Sequence, residues 1–144
     1  MTDQKPRLFS ADSEIVSIGE GLLSRALPRD LWTHEAHLAA CVWIVRDRPD
    51  IRPEQDMRAI ISSYNEAVGG VNDDSQGYHE TITQIYIAAV RAHLSEMPLN
   101  MALCQAVNTL LNSPRGRRDW PLRTYSRAHL FSVAARRAFV LPDL

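Results

Sequence analysis

His34 and His37 stand three residues apart at the head of "THEAHLAACVWIV" (33–45), and His79 heads a second apolar run in "YHETITQIYIAAV" (78–90). Two imidazoles at i, i+3 share one face of a helix and can aim at one spot. A third imidazole from a separate helix would complete a ligand set with positions left for water or substrate. Nitrogen donors of this kind suit a divalent transition metal, whether Zn, Fe, Ni or Mn. Metal-bound water could then drive hydrolysis or oxygen-dependent turnover of a small molecule. Two other uses of the same rings stay open. Each can satisfy a buried carbonyl or carboxylate as part of a polar core, or His34 or His79 can exchange a proton with Tyr64 or a bound ligand without any metal. The spacing is not that of His-Glu-x-x-His, since only two residues separate His34 from His37.

The elements that must position these rings are helical by pattern. Ile15, Val16, Ile18, Leu22 and Leu23 repeat at helical spacing over 12–26, with Asp12 or Ser13 as cap and Pro28 as stop. Asp30 is the expected cap of a second helix reaching Arg48. Pro53, Glu54 and Asp56 open a third, which Gly69 and Gly70 end. A fourth runs from Tyr78 to before Pro98, a fifth follows Asn100, and Ser126 caps a last short one; "RGRRDWPLRTY" (115–125) is irregular. The fold expected is all-α, a single-domain bundle of five to six helices over 1–144, with 1–11 a flexible lead-in. At about 100° per residue, His34 lies near the inward face set by Leu31, Leu38, Cys41, Val42 and Val45, and His37 and His79 lie on flanks that can meet in a groove. Tyr64, Asn65 and Tyr78 are the residues expected to line that groove. Trp32 and Trp43 point the other way, toward a fifth or sixth helix or a second copy of the chain, so a homodimer is a candidate assembly.

Composition excludes several classes. No apolar run reaches the roughly 18–20 residues of a membrane span, and the first residues have no apolar leader, which points to the cytoplasm. The formal net charge of −1 argues against a nucleic-acid binder. The charge is uneven, however: 97–144 holds 7 Arg against 2 Asp. These arginines either pair with the acidic half of their own chain or meet an anionic partner, the second case making the protein a binding module rather than an enzyme. Cys41 and Cys104 read as core thiols, His93 as a cation near a helix C-terminus, and His129 has no assigned role.

"THEAH" (33–37), "YHETIT" (78–83) and the ending "LRTYSRAHLFSVAARRAFVLPDL" (122–144) resemble a family of small bacterial helical proteins that share Thr-His-x-x-His, Tyr-His-Glu-Thr and a terminal Pro-Asp-Leu and to which no activity is attached. The resemblance implies that the first two motifs form one site, and it adds Glu80 to His34, His37 and His79 as a candidate metal ligand or as a group orienting an imidazole. Rotation alone sends Glu80 outward. The two-histidine helix also looks like DinB-type metal-binding bundles, at the level of fold analogy.

Overall fold

The structure, a computed structural model, describes residues 5–144; residues 1–4 of the expected lead-in lie outside the described residues. Among these residues there are seven α-helices and no strand: α1 Asp12–Ser24, α2 His34–Asp47, α3 Pro53–Ala67, α4 Glu80–Ser95, α5 Leu103–Leu111, α6 Arg127–Leu130 and α7 Val133–Arg137. The all-α expectation holds, with the bundle built on the five longer helices. The expected last helix is two, because the Ser132 hydroxyl accepts from Ala135 N and caps a fresh start. No helix among the described residues is long and apolar enough to cross a membrane.

Helix α2 is the centre of the molecule. It touches α1, α3, α4 and α5, and its residues from Leu38 to Ile44 are all buried. A helix apolar on every side is one enclosed by others. Trp43, expected outside, is covered by α1: its ring lies so flat on Gly19 that an added Cβ there would come within 2.1 Å of Cε3. The tryptophan stripe that could have drawn a second copy is therefore absent. Trp32 is half-buried against Tyr64 and His37.

Two helix starts differ from expectation. Asp30 sits in a 3-10 turn (Arg29–Leu31), and Thr33 caps α2 instead, its side chain accepting from Ala36 N. Helix α4 begins at Glu80, two residues later than expected, because the His79 ring itself is the cap. The third helix matches closely: Pro53 is its first residue, and Gly69 follows its end with φ of 88°. Near the start of the chain, Phe9 is tied down on both sides. Its N–H donates to Asn108 Oδ1, and its carbonyl accepts from Asn108 Nδ2 and the Cys104 thiol. A loose lead-in is thus not what residues around Phe9 form. The last residues, 138–144, fold back as a strap: Tyr125 Oη donates to Val140 O, His129 to Leu141 O, and Asp143 accepts from Ser126 N and Oγ.

Candidate functional site

A cleft of about 530 Å³ opens between α2, α3 and α4. Its walls are i, i+4 pairs, the spacing that stacks side chains on one helix face. His37 and Cys41 come from α2 beside Leu38, Met57 and Ile61 from α3, and Ile82 and Tyr86 from α4 beside Thr83 and Ile87. Trp32 and Thr33 close one end, and Arg118 arrives from the segment after α5. The size suits a small-molecule ligand, and the lining is mostly apolar with a few polar atoms, which is the usual make-up of such pockets.

Hydrogen bonding fixes the state of each ring, because a carbonyl can only accept. His37 donates from Nδ1 to Thr33 O at 2.7 Å, so its Nε2 keeps the lone pair. His34 donates from Nε2 to Gly116 O at 2.9 Å. Gly116 can approach because it has no side chain: a Cβ would meet Leu110 O at 2.2 Å. Both imidazoles are neutral acceptors. The His37 ring is open to the cleft but enclosed by protein elsewhere. That enclosure lowers its pKa to about 4, outweighing the Thr33 carbonyl, with His34 and Arg118 pushing the same way. Burial likewise lowers the His34 pKa, against the Gly116 carbonyl and with help from Arg118. Burial pushes the Cys41 thiol up to about 12, so it stays protonated and is no nucleophile.

His79 is elsewhere. Its Nδ1 accepts from Ile82 N at 3.1 Å and its Nε2 donates to Leu130 O at 2.8 Å, so both nitrogens are engaged and neither is left for a metal. The His34, His37, His79 set is therefore not assembled. Glu80 does not join it either. One Glu80 oxygen accepts from Tyr78 Oη at 2.6 Å and lies 3.6 Å from Arg58, and the other accepts from Gln84. Among the described residues no group of three or more His, Cys, Asp or Glu is placed to hold a metal ion. The metal-free proton exchange between His79 and Tyr64 fails on the same ground, since Tyr64 Oη donates to Leu27 O.

The three residues expected to line the groove build its surroundings. Tyr64 is fully buried and packs edge-on against Trp32, which lies against His37 with ring centroids 3.7 Å apart and the planes tilted by 30°. Asn65 donates to Asn72 Oδ1, an atom that also accepts from Tyr78 N, so it clamps the loop before α4 onto α3. Tyr78 is buried under the Arg58 guanidinium. Sequence reasoning brought His34 and His37 to one cavity but missed the other walls. Met57 with Ile61 and Ile82 with Tyr86 were legible as apolar i, i+4 pairs, whereas nothing local in "RGRRDW" marked Arg118 or Gly116 as neighbours of α2.

The arginine-rich segment mostly turns to its own chain. Arg115 pairs with Glu96, Arg117 with Asp119 and Arg137 with Asp74, while Arg136 donates to Gly77 O and Arg123 lies over Trp120. Comparison with family models, curated sequences and solved structures found no match, so they add nothing to the resemblance read from the motifs.

Proposed function

We propose that this chain is a binding protein for a small, largely apolar molecule carrying a hydrogen-bond donor, taken up in the cleft between α2, α3 and α4. One observation carries the reading: an apolar cleft of about 530 Å³ in which His37, tautomerically fixed by Thr33 O, offers Nε2 as an acceptor. An O–H or N–H on the ligand meets that lone pair, and the aliphatic walls take its body. Once the ligand's body covers the ring, this acceptor discriminates strongly, because a ligand without the donor leaves it unsatisfied. The lowered His37 pKa keeps the ring neutral, so its Nε2 lone pair is present as an acceptor near neutrality.

The test is calorimetric titration with 4-propylphenol and 4-propylanisole, which differ at the donor. Saturable one-to-one binding, stronger for the phenol, is expected, and His37→Phe should erase the difference. Equal affinities in the unaltered protein, or no binding of either compound up to its solubility, would count against the reading.

A further inference from the structure

We infer, resting on that reading of the cleft, that the molecule it takes is an apolar hydroxy acid, whose hydroxyl donates to His37 Nε2 and whose carboxylate pairs with Arg118. Arg118 is the one charged side chain among the thirteen residues lining the cleft. Three other arginines are fully taken up by carboxylates. Arg91 grips Glu54, Arg115 grips Glu96 and Arg137 grips Asp74 by two-pronged bonds of 2.6–3.1 Å. The Arg118 side chain, 71% exposed, has among the described residues only Glu35 Oε1, at 4.0 Å, as an ionic neighbour. Its planar fork of donors is available to a carboxylate, which it fits bidentately.

The surroundings have the same sign. Among the described residues no carboxylate lines the cleft, so a cationic ligand would find no partner in its walls. A second cavity of about 390 Å³ shares His34 and Arg118 with the first and brings Lys5 and Arg123 close by, along with the mutually paired Arg117 and Asp119 and with Glu35. Thr33 and His34 also bring the first turn of α2, the positive end of its dipole, to the same rim. The guanidinium charge is felt at both rings, since it helps to lower the pKa values of His34 and His37. An acid lying with its head at Arg118 therefore places its apolar body against Ile61, Ile82 and Tyr86.

Calorimetric titration of the full chain with 4-(4-hydroxyphenyl)butyrate, its primary amide and 4-propylphenol, all three carrying the phenolic donor, tests this, using the unaltered protein, Arg118→Gln and Arg127→Gln. Arg127 is exposed in α6 and does not line the cleft, so its variant matches the charge loss. The carboxylate should bind the unaltered protein and Arg127→Gln at least tenfold more tightly than the amide, and Arg118→Gln should bring the two within about twofold while leaving 4-propylphenol binding in place. High salt should shrink the preference. If acid and amide bind the unaltered protein equally while 4-propylphenol still binds, the cleft stands and the acid assignment falls. A preference that survives Arg118→Gln also overturns it. If none of the three binds, the cleft reading falls and takes this inference with it.

Discussion

A histidine that caps a helix has to stay neutral, since Nδ1 must keep its lone pair for the Ile82 amide while Nε2–H holds Leu130 O. His79 does so from a buried position, and burial is the main cause of its lowered pKa; the same holds for His93, whose Nε2 meets Thr109 Oγ1. In the unfolded chain both titrate near 6.5. Folded pKa values below unfolded ones mean that the stability these neutral rings supply is complete above about pH 6.5 and is lost as pH falls from there toward the folded values. Each costs at most about 1.4 kcal/mol per pH unit over that window. The urea midpoint should therefore drop between about pH 7.5 and pH 5.5, and a midpoint that held or rose would contradict the assignment. His79→Ala removes the cap and strands a carbonyl, a loss of about 2–4 kcal/mol in urea unfolding. That loss should be the same with zinc, nickel or a chelator present. That the three rings are not brought together was not legible, because residue type and rotation reveal where a ring can point, not which backbone groups claim its nitrogens first.

Between elements, α1 and α2 show how little spacing alone says about a helix that is covered twice. The inward face expected for α2 is buried at Leu38, Cys41 and Val42, but so is the opposite face at Ala39, Ala40 and Trp43, because Gly19 lets α1 lie directly under the indole ring. By helix propensity Gly19 is a weak point in α1, yet it is the contact that makes room for Trp43. Gly19→Ala should lower stability by about 1–3 kcal/mol through overpacking, despite the better helix propensity of alanine, and Gly19→Ala with Trp43→Phe should recover part of it. Chemical denaturation checks both. Helix α3 was legible at both ends because Pro53 and Gly69 act locally, through φ and through a positive-φ turn. The start of α4 was not, since capping by an imidazole depends on the Leu130 carbonyl fixing the tautomer from 51 residues away. The strap was equally hidden: Asp143 meets Ser126 only after the chain has turned back, so "PDL" reads as a tail until Ser126 N and Oγ are placed beside it. Asp143→Ala should speed amide exchange at Ser126 and Leu144 with little change in global stability, because its bonds are exposed.

For the molecule as a whole, three helices each contribute one wall and the segment after α5 contributes the charged rim, so the cleft exists only when the bundle is complete. It is linked to distant parts of the chain through His34 and Gly116, which packs on the last turn of α5. Ile61→Trp should fill the cleft and abolish binding of 4-propylphenol while leaving the fold and its denaturation midpoint nearly intact; retained binding would place the ligand elsewhere. His34 and His37 line the cleft while His79 serves a helix end. Long-range proton–nitrogen correlation spectra of the imidazole rings, with and without 4-propylphenol, read this directly. The account predicts a proton on Nδ1 of His37 and on Nε2 of His34 and His79, and a ligand-induced shift at His37 Nε2 with His79 unmoved. A proton on His37 Nε2, or a response at His79 as large as that at His37, would contradict it.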